Sequence, residues 1–157
     1  MEEKSMDFLD IAKEEAKKAM SKGEVPIGAV IVKDNIVISK AHNLKETLKD
    51  ATAHAEILAI REASKFLDDW RLNGTEMYVT LEPCTMCTSA IIQSRISKLH
   101  IGTFNKDMGA CGSIINLIDD RMLESFLNVN WLYDEECSNL LMKFFNLKRK
   151  LNKNKLL

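Results

Sequence analysis

The stretch EMYVTLEPCTMCTSAIIQSRISKLHIG, residues 76–102, decides the fold class. EMYVT is a run of strand formers placed after the turn pair Asn73 and Gly74. Pro83 suits the first turn of a helix running to about Gln93, because the amide hydrogen that proline lacks would have no partner there. KLHIG then reads as a second strand, and strands alternating with a helix predict an α/β protein. Upstream, Ser5 is a candidate N-cap for a first helix reaching about Met20, with Phe8, Leu9, Ala12, Ala16 and Ala19 on one face. IGAVIV and IVISKA flank Lys33, Asp34 and Asn35, the pattern of a β-hairpin. Thr52 is a candidate cap for a helix from Ala53 to about Phe66, whose Ile57, Leu58, Ile60 and Ala63 can cover a sheet. Downstream come the polar loop GTFNKDMGACGS, a short segment around Ile114 to Ile118, and VNWLY as a final strand. A last helix from about Glu135 carries Cys137, Leu140, Leu141, Phe144, Phe145 and Leu151 at helical spacing. The expected architecture is a mixed sheet with helices on both faces, the hairpin supplying the antiparallel part.

A length of 157 residues with 46% hydrophobic side chains is enough for one well-filled domain, expected to span 1–157 without internal repeat or linker. The count of 4 cysteines is ordinary intracellular usage, unlike a secreted disulfide scaffold. MEEKSMDFLD is acidic where a signal peptide needs a basic n-region, and no later run approaches about 18 apolar residues. A cytoplasmic protein outside the membrane is expected. The net charge of -1 argues against a bulk nucleic-acid binder, but it hides an asymmetry. Lys143, Lys148, Arg149, Lys150, Lys153 and Lys155 fall in residues 138–157 with no acid among them, while the remaining chain holds 16 basic and 23 acidic residues. A basic end on an acidic body is either a solvated terminus or a contact surface for phosphates.

Cys84 and Cys87 stand at the start of the predicted second sheet-linking helix. A C-x-x-C there reads as a redox pair or as half of a metal site. A closed structural zinc site would need a second local pair of ligands, and Cys111 and Cys137 stand apart as small hydrophobes. His42 in a polar loop and His100 in a strand read as solvated or hydrogen-bonded imidazoles. His54, in TAHAE, lies at a predicted helix N-terminus with Glu56 two residues on. His54, Cys84 and Cys87 together offer three protein ligands and leave a fourth position open, the arrangement of a catalytic zinc ion, which lowers the pKa of bound water towards ~7. Glu56, in a partly apolar pocket, fits the role of proton carrier.

At HAE and PCTMC the chain resembles the zinc-dependent nucleobase deaminases, whose signature is H-x-E followed by P-C-x-x-C. Within that group it is similar to the bacterial tRNA-specific adenosine deaminases, from about Gly23 to Lys150. EVPIGAVIV, AHN, TAHAEILAI, WRL, YVTLEPCTMC, SRI and the double phenylalanine before basic residues match in order. The resemblance implies a three-layer α/β/α core around a five-stranded mixed sheet, a homodimer, one zinc ion per subunit, and conversion of adenosine to inosine at the wobble position of a tRNA anticodon stem-loop. By the same resemblance His54, Cys84 and Cys87 are ligands, Glu56 shuttles the proton, and Asn43 bonds the target base. An amide can donate and accept at once on an adenine edge. Phe144, Lys148 and Arg149 on the last helix, and Asn105 in the loop beside the target, are the expected RNA contacts.

Three positions depart from the family pattern: Asn105 where Asp is usual, Asp107 where Lys is common, and Asn146 where Arg commonly follows the two phenylalanines. None touches the zinc chemistry. Asn105 has donors that an aspartate lacks, so dependence on the ribose 2′-OH is expected to be weaker.

Overall fold

The chain reverses sharply at Asp34 and Asn35, whose φ angles of 50° and 61° give the paired left-handed turn that matches the twist of a two-residue hairpin. This turn joins β1 (Gly28–Lys33) to β2 (Ile36–His42) in a computed structural model that describes residues 7–156. Also among the described residues are β3 (Thr75–Leu81), β4 (Lys98–Thr103) and β5 (Asn128–Trp131), with helices α1 (Phe8–Ser21), α2 (Ala55–Leu67), α3 (Thr85–Gln93) and α4 (Glu135–Asn154). The strands lie in the order β2-β1-β3-β4-β5. β1 runs antiparallel to β2 and β3, whereas β3, β4 and β5 are parallel, so the mixed sheet expected from the sequence is present.

Alternation along the strands sorts the core into two layers. Ala29, Ile31, Met77, Val79, Leu99 and Ile101 meet Ala55, Ala59, Ala63 and Ile91 of α2 and α3. Val30, Val32 and Tyr78 turn the other way and meet Leu9, Ala12 and Cys137 of α1 and α4. Alanines on the buried faces let the helices sit close to the sheet. Gly28 serves the same end, since a Cβ there would collide with the Ala12 carbonyl oxygen. Lys13, buried on α1, pairs with Asp10 at 3.1 Å, Asp134 at 3.1 Å and Glu136 at 3.0 Å, tying α1 to the start of α4.

Three helix starts, and the burial along α4, differ from the sequence reading. Ser5 lies outside the described residues, and Asp7 caps α1 by accepting from the Leu9 amide at 3.2 Å. Thr52 is not the cap of α2: its hydroxyl and amide bond Asp50, and the helix begins two residues later with His54 at the N-cap. Pro83 precedes α3, whose N-cap is Cys84. On α4, where the sequence reading put six apolar residues at helical spacing, only Cys137 and Phe144 are buried, and Phe145 and Leu151 meet solvent. Among the described residues no helix is long and apolar enough to cross a membrane.

Candidate metal centre

The carboxyl end of β3 and the N-termini of α2 and α3 converge. His54 is the N-cap of α2, Cys84 is the N-cap of α3, and Cys87 lies in the first turn of α3. Neither N-cap side chain bonds its own helix, so both are available to a ligand. The His54 Nδ1 lies 3.7 Å from Cys84 Sγ and 3.5 Å from Cys87 Sγ. Tetrahedral zinc, with bonds of about 2.0–2.1 Å to nitrogen and about 2.3 Å to sulfur, sets those atoms about 3.6 Å apart. The residues therefore fit zinc in spacing and in chemistry, and among the described residues the three ligand atoms all fall within 4.8 Å of one another. All four cysteines are free thiols, as the metal reading requires and a disulfide would not allow.

The electrostatics favour the same use. A hydrogen bond from the Cys87 thiol, helped by His54, holds the Cys84 thiol down at about 4, and Cys87 is pushed up in turn. Metal binding, which uses both sulfurs as thiolates, would displace the remaining thiol proton. The hydrogen bond to Cys84 raises His54. Glu56, in the first turn of α2 and 4% exposed, is pushed up to about 7 chiefly by burial. A carboxyl group poised there can both accept and donate a proton near neutrality.

A residue that the sequence reading missed organises the wall beside Cys84. Glu82 is buried, and its carboxylate accepts the backbone amides of Asn105 at 3.1 Å, Cys111 at 2.9 Å and Ser113 at 3.2 Å, together with the Ser113 hydroxyl. Gly109 makes room for this, since a Cβ there would stand 2.5 Å from the Glu82 carboxylate. Glu24 does likewise for the loop before α2, accepting from Glu46 at 3.0 Å and Thr47 at 2.8 Å. An acid between a strand and a proline, or between glycine and proline, was the available signal.

The other predicted residues are placed as follows. Asn43 is buried on the loop leading to α2, donates to the Val25 carbonyl at 3.3 Å and accepts from the Lys45 amide at 3.1 Å, which leaves one donor and one acceptor. Asn105 accepts from the Asp107 and Met108 amides at 3.2 Å and 3.0 Å and donates to the Glu82 carbonyl at 3.4 Å, so most of its side chain shapes the turn. Phe144 is 5% exposed, with Lys148 5.3 Å above its ring, whereas Phe145 beside it is 45% exposed. Arg149 is exposed and bonds the Asn146 side chain. His42 lies between Glu15 and Lys22, and His100 stacks on Tyr78, so both have packing roles away from the sulfurs.

Comparison with known proteins agrees with this site. Residues 2–103 match the cytidine and deoxycytidylate deaminase zinc-binding region. The tRNA-specific adenosine deaminase of Aquifex aeolicus (strain VF5) is 51% identical over 140 residues, covering 88% of this chain and 91% of that protein. A structure from a study of A-to-I editing by tRNA:A34 deaminases at the wobble position superposes with a TM-score of 0.83 at 41% identity, over 85% of this chain and 98% of that one. The guanine deaminase from Bacillus subtilis superposes with a TM-score of 0.62 at 38% identity, over 65% and 68%. Fold and site thus define a zinc-dependent deaminase of the cytidine and deoxycytidylate deaminase class. Within that class the chain belongs to the tRNA-specific adenosine deaminase family.

Proposed function

We propose that this protein hydrolyses the 6-amino group of adenosine at the wobble position of a tRNA anticodon, leaving inosine and releasing ammonia. The observation that carries the reading is a His54 Nδ1 set 3.5 Å and 3.7 Å from two cysteine sulfurs, with the buried, proton-poised Glu56 on the same helix turn. His54, Cys84 and Cys87 would hold a zinc ion, which when bound would make a water acidic enough to act as nucleophile at neutral pH. A Glu56 carboxylate oxygen takes the proton of the attacking water, passes it to the purine ring nitrogen, and delivers the next to the departing amine. Asn43 offers its remaining donor and acceptor to the base edge. Lys148 and Arg149, on the exposed part of α4, meet phosphates, and Phe145 supplies the solvent-facing ring that Phe144 does not. A homodimer in the cytoplasm, acting on the anticodon stem-loop, completes the reading.

The likeness to a guanine deaminase supports a second reading, action on a free base with the same metal chemistry. The basic α4, without an acid from residue 138 onward, favours the polynucleotide. Ammonia release from zinc-loaded protein, measured with an anticodon stem-loop and with free guanine, adenine and cytosine, tests this. Turnover of the stem-loop alone is the expected result, and turnover of a free base alone overturns the proposal.

A further inference from the structure

At the same carboxyl end of the parallel strands as the metal centre, towards the β5 edge, three aromatic rings form an open array that the deamination chemistry does not use. Phe104 follows β4, Trp131 ends β5, and Tyr133 stands just before Asp134, the N-cap of α4. The Phe104 ring centre lies 4.9 Å from that of Trp131 and 5.5 Å from that of Tyr133, and Trp131 and Tyr133 lie 6.3 Å apart with planes inclined by 23°. Trp131 packs partly against the core layer shared with α2 and α3, the layer that also holds Cys111 of the loop beside Cys84. Phe104 remains 46% exposed and Tyr133 67% exposed. Rings collected only to fill a core would not be left in water to this extent.

Position supplies a second argument. β3, which leads into Cys84, is followed across the sheet by β4 and β5, with Leu81 opposite Thr103 and Ile101 opposite Trp131. Strand spacing places the rings about 5–10 Å to the side of the strand end that carries the metal ligands, within reach of a neighbouring nucleotide. Phe104 adjoins Asn105, which the Glu82 carboxylate holds against the start of α3. On the far side, a hydroxyl pair between Thr103 and Ser138 at 2.7 Å fixes the first turn of α4 to the end of β4, so the basic helix leaves directly from the array. Tyr133 also has a φ of 50°, a conformation that favours glycine, yet a large ring is kept there.

We infer that Phe104, Trp131 and Tyr133 form a stacking platform for an unpaired base of the RNA loop, a nucleotide next to the one that reacts. The inference rests on the polynucleotide reading above. Drawing a nucleotide out of a loop leaves its neighbour without a stacking partner, and aromatic faces replace that partner. Every base has a π-face, so the platform contributes affinity without selecting the base, and α4 meets the phosphates that follow.

The test uses the zinc-loaded full chain and a labelled anticodon stem-loop. Removing one stacked ring, in Phe104→Ala or Tyr133→Gly, is expected to raise Kd by about 5-fold to 100-fold, while Tyr133→Phe stays close to wild type. Glycine suits the backbone at 133, so the Tyr133→Gly variant is expected to keep its urea midpoint, and Phe104→Ala tests the platform independently of that site. In a Trp70→Phe background Trp131 becomes the sole tryptophan, and its emission should be quenched as RNA saturates. Unchanged Kd in both ring-removing variants overturns the platform, and so does Trp131 emission that does not move at saturation. If wild type binds and deaminates the stem-loop while the variants behave identically, only the platform is wrong. If wild type binds no stem-loop, the polynucleotide reading fails with it.

Discussion

Replacing Glu82 by alanine should cost more stability than its single side chain suggests. The carboxylate accepts the amides of Asn105, Cys111 and Ser113 and the Ser113 hydroxyl, and so closes the loop that follows β4. Ser113 is exposed, and water can replace its lost bonds. Cys111 is buried, so losing its charge-assisted bond leaves its amide unsatisfied, at a cost of about 1.5–3 kcal/mol. With the part-buried Asn105 amide, bonded to the same charge, adding about 1.5–2 kcal/mol, about 3–5 kcal/mol is expected. At about 2–4 °C per kcal/mol for a chain of this size, the melting temperature should fall by about 6–20 °C. Glu82→Gln keeps the shape but turns an amide hydrogen towards other donors, so it should cost roughly half as much. Urea unfolding of the zinc-loaded proteins, followed by far-ultraviolet circular dichroism, gives both values. A loss below about 1 kcal/mol in Glu82→Ala would refute the reasoning, because a hub of buried bonds cannot be that cheap.

Other perturbations address the remaining parts. Asp134 is half-buried, and its partial burial acts to raise it, but its bonds from Lys13 and the Cys137 amide outweigh that and hold it below the ordinary 3.8. Its contribution is therefore present above pH 3.8 and lost as pH falls through the lower folded value, so the stability difference between wild type and Asp134→Asn should be constant near neutrality and shrink below pH 3.8. A difference independent of pH would remove the Lys13 pairing from the account. Neutralising Lys148, Arg149 and Lys150 should weaken stem-loop binding and flatten its log–log salt dependence by up to about 2 to 3, whereas an unchanged slope makes α4 a solvated terminus. Asn105→Asp removes both amide hydrogens, the one donated to the Glu82 carbonyl and the one the loop leaves without a protein acceptor, so activity on a matched DNA hairpin should drop proportionally more than on RNA, and an unchanged RNA-to-DNA ratio means that Asn105 only shapes its turn.

The metal ligands were legible because their spacing carries chemistry: His54 with Glu56 two residues on, and Cys84 with Cys87 behind a proline. Strand and helix order followed from alternation and turn residues. Cap positions did not, since Thr52 finds a local partner in Asp50 and leaves the N-cap to His54, a competition that local sequence does not resolve. Phe144 and Phe145 both fall at helical spacing from Leu140 and Leu141, and the face of α4 that carries Cys137 buries Phe144 and leaves Phe145 exposed. Glu82 and Glu24 escaped notice because their partners are backbone amides far along the chain, and their places shortly before a proline were the one local sign. The aromatic array likewise joins Phe104 to residues 27 and 29 positions away through β4–β5 pairing.

The central claim is that Glu56 moves protons for a zinc-held site acting on adenosine in RNA. Its most direct test is single-turnover inosine formation on an anticodon stem-loop with one adenosine, for wild type and Glu56→Ala of equal zinc content. Wild type should convert adenosine to inosine with one ammonia released per inosine, and Glu56→Ala should bind zinc and RNA unchanged while slowing the step by ~10²–10⁴-fold. Loss of zinc from Glu56→Ala, or inosine formed at the wild-type rate without the carboxylate, would contradict the account.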